Sequence, residues 1–209
     1  MPSELILASA SPRRAQLLRN LGIPFEQVPS GVEEDRGRGD PADVAREAAL
    51  QKARTVARAR SEAVVIGADT VVVSPQGEIM GKPADEADAL RMLMALADRE
   101  HQVITGVALV GSGTEAASVE TTRVRMRAFD REEAARYIRS GEPMDKAGAY
   151  GIQGLGGLLV ESVTGCYFNV VGLPLRRLYE MLRSEARAAD WLGPDADDSL
   201  NLSPEEPDD

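Results

Sequence analysis

The sequence predicts an α/β fold with a mixed sheet. Short apolar, β-branched segments alternate with segments that carry helix signals along most of the 209 residues. Two strand-like segments, 101–110 and 116–129, follow each other with a short connection, which implies antiparallel neighbours. Hydrophobic residues make up 43% of the chain, enough for one well-packed domain or for two lobes around a cleft.

The elements are predicted from start and stop signals. Ser11 and Pro12 indicate a helix start, because serine is a favoured N-cap and proline suits the first helical turn. The first half is expected to contain a strand over 4–8, a helix over 11–22, a strand over 25–28, a helix from Pro41 to about Arg60, a strand-like segment over 64–73 interrupted at 67–70, and a hairpin with its turn at 74–77. The second half is expected to contain a helix over 85–98, the two long strands, a helix from Asp130 to Arg139, a Gly-rich loop over 145–154, a strand near 158–160 and a last helix from Pro174 to about Ala188.

The net charge of −10 comes mainly from one end of the chain. Residues 190–209 hold eight of the 34 acidic residues and no basic residue, so residues 1–189 are nearly neutral. We therefore expect one domain over 1–189 and a disordered acidic tail over 190–209. The domain has no broad basic field for nucleic acid. A single cysteine, the absence of a long apolar run and an N-terminus without signal-peptide features together predict a cytoplasmic protein.

Several catalytic signatures are missing from the sequence. It has no Walker A segment, no dinucleotide-binding fingerprint, no zinc-protease motif and no paired C-x-x-C. His101 is the single histidine and lies at the start of a predicted strand, where a structural role is expected. Cys166 carries no sign of activation and is interpreted as an inert thiol.

Lysine is rare in this chain. Three of the 24 basic residues are lysines, namely Lys52, Lys82 and Lys146. A compact ammonium binds phosphate as a point charge, whereas arginine is a planar fork, so each lysine is a candidate for such a site. On composition alone, the presence of these three lysines could equally be due to chance.

Carboxylates and cations cluster in predicted loops at the ends of elements. They are Glu33, Glu34, Asp69, Lys82, Asp145 and Lys146. Oxygen ligands without histidine or cysteine favour Mg²⁺ or Mn²⁺, and cations beside such a metal are typical of phosphate chemistry. Asp69 interrupts an apolar segment, so it either pairs with a cation or acts as a base.

The predicted start of the first helix adds donors for an anion. Its free N–H groups lie beside Ser9, Ser11, Arg13 and Arg14. A capped helix with a solvated arginine pair is the alternative interpretation.

Together these segments resemble the Maf family of nucleotide pyrophosphatases. The resemblance spans residues 5 to about 183 and rests on Ser9–Arg14, Val32–Glu34, Gln51–Ala53, Gly67–Thr70, Gly81–Pro83, Val103–Gly106 and Asp145–Gly154, in family order and spacing. It implies a two-lobed fold of the Maf and ITPase type, with an extended mixed sheet, helices on both sides and a central cleft. It also implies cleavage of nucleoside triphosphates to the monophosphate and pyrophosphate, and often a homodimer.

The resemblance assigns expected roles to single positions. Asp69 is the expected proton acceptor. Arg13, Thr70 and Gln153 match positions that govern substrate choice. In the mechanism that these residues suggest, Glu33, Glu34 and Asp69 are expected to hold Mg²⁺ or Mn²⁺, and Ser9, Ser11, Arg13, Arg14, Lys52, Lys82 and Lys146 to contact the substrate and its phosphates.

The loop that ends in Gln153 predicts which nucleobase the protein recognises. A glutamine amide offers one acceptor and one donor, which match N3–H and the adjacent carbonyl of uracil or thymine. The Ala149–Gln153 segment also resembles the dTTP/UTP branch of the family more than the branch that acts on 7-methyl-GTP. Two alternatives stay open: a Maf-type enzyme that prefers CTP or 7-methyl-GTP, and a nucleotide-binding regulator of cell division with little turnover.

Overall fold

A computed structural model describes residues 4–32, 39–111, 113–185 and 191–192. The strands are β1 (Leu5–Leu7), β2 (Glu26–Gln27), β3 (Val64–Val73), β4 (Ile79–Met80), β5 (Glu100–Gly111), β6 (Thr114–Met126) and β7 (Val160–Thr164). The α-helices are α1 (Pro12–Asn20), α2 (Pro41–Ala57), α3 (Glu86–Leu96), α4 (Arg131–Ile138), α5 (Tyr167–Val171) and α6 (Leu175–Arg183). Three short 3₁₀ segments, Glu142–Asp145, Ala147–Ala149 and Leu155–Leu159, lie between α4 and β7.

The strands form one mixed sheet in the order β2-β1-β3-β5-β6-β7, and β4 pairs with β3. β1 runs parallel to β2 and to β3, whereas the other pairs are antiparallel. This confirms the predicted mixed sheet and the antiparallel pairing of β5 with β6. The predicted interruption at 67–70 is wrong, because β5 pairs with β3 from Val65 to Val73. Ladder pairing, rather than side-chain preference, keeps these residues extended.

Four helices begin at polar N-caps. The side chains of Ser11, Asp40, Asp85 and Asp130 each accept a hydrogen bond from a backbone N–H in the first turn. These contacts satisfy N–H groups that a helix start leaves unpaired. The predicted strand near 158–160 is wrong in position, because residues 155–159 form a 3₁₀ segment and β7 begins at Val160.

Two lobes surround a cleft, as expected. In the first lobe, α2 covers one face of the sheet, where Ala49, Ala53 and Val65 belong to one core cluster. Helices α1 and α6 pack on the opposite face around Leu18 and Leu178. The second lobe is built on the far parts of β3, β5 and β6 with helices α3 and α4; its buried members include Met80, Leu93, Leu96, Val124, Met126 and Ile138.

Helix α2 lies unusually close to the sheet. A Cβ added to Gly67 would lie 2.1 Å from the carbonyl oxygen of Ala49, and one added to Gly106 would lie 2.2 Å from that of Ala45. Both distances are shorter than any normal contact, so only glycine permits this approach. The consequence is that side chains of α2 reach the middle of β3.

Beyond α6, the structure describes residues 184–185 and 191–192. Trp191 is buried in the same core cluster as α1 and α6, and Leu192 packs against it. Residues 186–190 and 193–209 lie outside the described residues, so the boundary predicted at 189/190 and the disordered tail stay predictions. Within the described part of the chain, no helix has the length and apolarity needed to cross a membrane.

Candidate active site

One edge of β3 carries the candidate site. β5 occupies the other edge, while β1 pairs with Val64–Ile66 and β4 with Val72 and Val73. Among the described residues, no strand pairs with β3 between these two neighbours. The backbone from Gly67 to Val71 therefore faces a gap between the lobes.

A cleft of about 440 Å³ opens at this gap. Every predicted site residue that the structure describes lines it: Ser9, Ser11, Arg13, Arg14, Lys52, Asp69, Thr70, Lys82, Lys146 and Gln153. Glu33 and Glu34 lie outside the described residues, although Ser30–Val32, which precede them, also line the cleft. The structure thus brings together positions from both lobes, and their individual roles stay predictions.

Asp69 and Lys52 form a buried ion pair in the cleft wall. Lys52 Nζ lies 2.5 Å from Asp69 Oδ1, and both side chains are more than nine-tenths buried. The close approach of α2 brings Lys52 to β3. The carboxylate is therefore held in one orientation by a cation that is itself part of the cleft.

Arg14 joins several segments of the cleft wall through hydrogen bonds. Its guanidinium donates to the carbonyl oxygens of Gly172 (2.7 Å) and Ala68 (2.9 Å), to Thr70 Oγ1 (3.0 Å) and to Ser9 Oγ (3.3 Å). A planar fork of donors suits several fixed acceptors, which a lysine could not satisfy together. The proposed phosphate contact of Arg14 stays a prediction, and these bonds give it a structural role that the sequence did not indicate.

The serines beside Arg14 hold the start of α1. Ser11 Oγ accepts from the Arg14 N–H as N-cap, and Ser9 Oγ accepts from the Ser11 N–H at 3.2 Å. The expected helix start is confirmed. The hydroxyls therefore shape the loop that faces the cleft, whatever contact they make with a substrate.

Arg13, Asp145 and Lys146 form a second charged group across the cleft. Arg13 Nη1 lies 3.3 Å from Asp145 Oδ2, and Lys146 Nζ lies 2.6 Å from Asp145 Oδ1. Partial burial tends to raise the pKa of Asp145, but the hydrogen bond and charge of Lys146 and the charge of Arg13 outweigh it and lower the pKa. Asp145 thus stays ionised and links cations from the two lobes.

Thr70 takes part in a chain of hydrogen bonds with a fixed direction. Thr105 Oγ1 donates to the carbonyl of Asn169 (3.1 Å), so its contact with Thr70 Oγ1 (2.9 Å) uses the Thr70 proton. Arg14 donates to the same Thr70 oxygen. Thr105 and Asn169 were not predicted as site residues; Thr105 lies in one of the segments that resemble the family, which was the available signal.

The carboxylates that line the cleft in the described part of the chain are Asp69 and Asp145. No group of three or more His, Cys, Asp or Glu side chains among the described residues could hold a metal ion. Mg²⁺ is commonly bound through one or two carboxylates, with phosphate oxygens and water completing its six ligands. The two carboxylates, Asp69 and Asp145, therefore fit a metal ion that binds together with a phosphate-containing substrate.

The chain is similar to known proteins over most of its length. The chain is 52% identical to a dTTP/UTP pyrophosphatase from Dictyoglomus turgidum, over 87% of this chain and 96% of that protein. It is also 52% identical to a dTTP/UTP pyrophosphatase from Symbiobacterium thermophilum, over 86% of this chain and 92% of that protein.

Solved structures show a weaker likeness. One is a nucleoside-triphosphatase/dITP/XTP pyrophosphatase from Mycobacterium abscessus, 18% identical with a TM-score of 0.43 over 89% of this chain and 97% of that chain. In contrast, the family model described as Maf-like protein matches residues 4–185. The chain therefore belongs to the Maf family.

Proposed function

We propose that this protein is a nucleoside triphosphate pyrophosphatase that hydrolyses dTTP and UTP, with modified uridine triphosphates, to the monophosphate and pyrophosphate. The observation that carries the proposal is the convergence of Asp69, three lysines and Gln153 on one cleft. The two relatives described above carry the name of this activity. Removal of unwanted nucleotides from the cellular pool is the role that fits such a reaction.

The reaction needs a base beside the α-phosphorus. Asp69 is proposed to orient a water molecule and accept its proton, while the water oxygen bonds to the α-phosphorus. The bond from the α-phosphorus to the oxygen bridging to the β-phosphorus breaks, and pyrophosphate leaves. Lys52, held against Asp69, and Lys82 across the cleft neutralise the phosphate oxygens as charge develops.

Gln153 is proposed to recognise the nucleobase through hydrogen bonds. Its side chain lies exposed at the mouth of the cleft, on a loop separate from the buried ion pair. A primary amide can donate to a pyrimidine carbonyl and accept from N3–H. Cytosine presents the reverse pattern, an acceptor at N3 and an amino group at C4, so the amide rejects it only where its own orientation is held fixed.

A divalent cation, Mg²⁺ or Mn²⁺, is proposed as cofactor. Asp69 would hold it, together with Glu33 and Glu34 from the segment that follows the cleft wall at Val32. The cation would supply charge neutralisation to the phosphate oxygens. A homodimer, which the family resemblance implies, and a cytoplasmic location, which the sequence predicts, both stay predictions.

Pyrophosphate release measured over a panel of nucleotides tests the proposal. With Mg²⁺ or Mn²⁺ present, dTTP and UTP should give pyrophosphate and the monophosphate, and chelation with EDTA should stop the reaction. Preferential cleavage of CTP or 7-methyl-GTP would contradict the base assignment. Release of orthophosphate alone would contradict the pyrophosphatase assignment, and tight binding without turnover would favour a regulatory role.

A further inference from the structure

The loop that carries Gln153 is anchored by two side chains outside the cleft. Tyr137, at the end of α4, accepts from the Gly151 N–H at 3.1 Å through its hydroxyl oxygen. Glu142, in the following 3₁₀ segment, accepts from the Leu155 N–H at 3.0 Å and from the Gly156 N–H at 3.1 Å. The two residues thus hold both ends of the loop 151–156, with Gln153 between them.

The two anchors are also joined to each other. The Tyr137 hydroxyl donates to Glu142 Oε1 at 2.9 Å, so Oε1 accepts from both Tyr137 and Gly156 while Oε2 accepts from Leu155. A carboxylate can accept at both oxygens, which a glutamine amide cannot do. The arrangement therefore requires an ionised glutamate.

The environment of Glu142 keeps it ionised. Partial burial tends to raise its pKa, but hydrogen bonds from the Gly156 N–H, Tyr137 and the Leu155 N–H, with the charge of Lys146, outweigh burial and lower the pKa. Burial raises the pKa of Tyr137, so its hydroxyl keeps the proton that it donates.

Glycines let the loop pack directly on these anchors. A Cβ on Gly156 would lie 2.5 Å from the Tyr137 hydroxyl and one on Gly154 would lie 2.8 Å from Glu142 Oε2. Gly154 also has a φ of +85°, a conformation that other residues rarely adopt. The contact leaves no space for the loop to shift toward the anchors.

Glu142 also reaches the charged side of the cleft through its backbone. Its carbonyl oxygen accepts from Lys146 Nζ at 2.5 Å, and the Lys146 stem lies against Gly151. Lys146 in turn pairs with Asp145, which pairs with Arg13. One residue therefore connects the Gln153 loop to the cation group across the cleft.

We propose that Tyr137 and Glu142 form a clamp that sets base selectivity by positioning the Gln153 loop. This rests on the proposed function. Neither residue lines the cleft, so both act as positioning residues rather than as substrate contacts. A hydrogen-bonding side chain discriminates between bases only while it is held in register with the base edge, and a displacement of about 1 Å is enough to lose much of that effect.

The test compares Glu142→Gln and Tyr137→Phe with the wild type. Glu142→Gln keeps the shape of the side chain but places an amino group where an N–H must be accepted, and Tyr137→Phe removes the hydroxyl from the clamp. Glu132→Gln is the matched control, because Glu132 lies on α4 and its side chain is 79% exposed. We expect the ratio of kcat/KM for dTTP over dCTP to fall roughly tenfold in both clamp variants and to stay unchanged in the control.

Amide hydrogen exchange provides a readout that does not need activity. The N–H groups of Gly151, Leu155 and Gly156 should exchange faster in the clamp variants, while those of β5 keep their protection. Unchanged exchange at these three amides would overturn the clamp. Faster exchange with an equal loss of kcat/KM for both nucleotides would overturn its role in selectivity. A wild type that cleaves no nucleoside triphosphate would overturn the proposed function, and the exchange measurement would still decide the clamp.

Discussion

At the scale of single residues, the Asp69–Lys52 pair has the clearest chemistry. Desolvation of two charges is costly, and the attraction between them compensates only when the geometry is good. Here the geometry is imposed by two rigid elements, α2 and β3, with Nζ and Oδ1 2.5 Å apart. From the sequence, Asp69 could either pair with a cation or act as a base. The structure shows the ion pair at the cleft, and the role of Asp69 as a base stays a prediction.

Replacement of Asp69 by asparagine tests its proposed role. We expect kcat for dTTP to fall by roughly 10²–10⁴-fold, because an amide cannot accept the proton of the attacking water. Nucleotide affinity should change little, since the lysines and arginines that are proposed to contact the phosphates remain. Pyrophosphate release gives kcat, and calorimetry with dTTP gives the affinity.

The matched control is Asp43→Asn, because Asp43 lies on α2 with a side chain that is 62% exposed. Removal of one partner from a buried pair also lowers stability, by about 3–5 kcal/mol. The activity is therefore compared at a temperature at which circular dichroism shows the variant to be folded. Wild-type kcat in folded Asp69→Asn would exclude Asp69 as the proton acceptor.

At the scale of elements, the position of α2 decides whether the ion pair exists. The helix packs Ala45, Ala49 and Ala53 against the sheet, where the facing residues are Gly67 and Gly106. Small side chains on both elements bring the backbones close enough for a lysine on the helix to meet an aspartate on the strand. Each of these residues is unremarkable by itself, and their effect arises from the contact.

Gly67→Ala should therefore damage both stability and activity. Its Cβ would lie 2.1 Å from the Ala49 carbonyl oxygen, so α2 must move outward. We expect a loss of about 1–3 kcal/mol in the free energy of unfolding, as for overpacked cores, and a lower kcat as Lys52 is displaced from Asp69. Urea denaturation measures the first effect and pyrophosphate release the second.

Gly39→Ala is the control, because among the described residues its Cβ would contact only Val44 Cγ2, at an ordinary 3.9 Å. It should change stability by less than about 0.5 kcal/mol. Equal stability of the Gly67 and Gly39 variants would contradict the close approach of α2.

At the scale of the whole molecule, the second lobe contains a buried neutral histidine. His101 Nε2 lies 2.8 Å from the hydroxyl of Tyr150, which directly precedes the loop 151–156 that carries Gln153. Within the described part of the chain, His101 Nδ1 has no hydrogen-bond partner. Burial lowers the pKa of His101 from 6.5 to about 4.

This shift makes stability depend on pH. Below pH 6.5 the unfolded chain binds a proton at His101, whereas the folded protein resists protonation until about pH 4. The contribution of neutral His101 to the free energy of unfolding, roughly 3 kcal/mol in total, is therefore complete above pH 6.5 and is lost as the pH falls toward 4. Between pH 7 and pH 5 the wild type should lose about 2 kcal/mol more than His101→Gln in urea denaturation. The same loss in both proteins would show that another group is responsible.

Sequence patterns predicted most elements because their signals are local. Ser11, Asp130 and the glycines near helix ends mark boundaries through contacts made within one turn. Errors occurred where pairing between distant segments decides the outcome. The ladder with β5 keeps residues 67–70 extended. The packing of the Gly-rich loop on Glu142 and Tyr137 precedes a 3₁₀ segment over 155–159, so β7 begins only at Val160.

Residue types and their spacing along the chain are enough to predict the α/β class, the helix starts, the resemblance to the family and the set of polar residues that could handle phosphate. The folded chain adds the pairing of Lys52 with Asp69, the hydrogen bonds of Arg14 to the cleft wall, and the contacts of Tyr137 and Glu142 with the Gln153 loop. Such contacts join residues far apart in the chain, and their geometry is set by how closely helices, strands and glycine-rich segments pack, which no local pattern encodes.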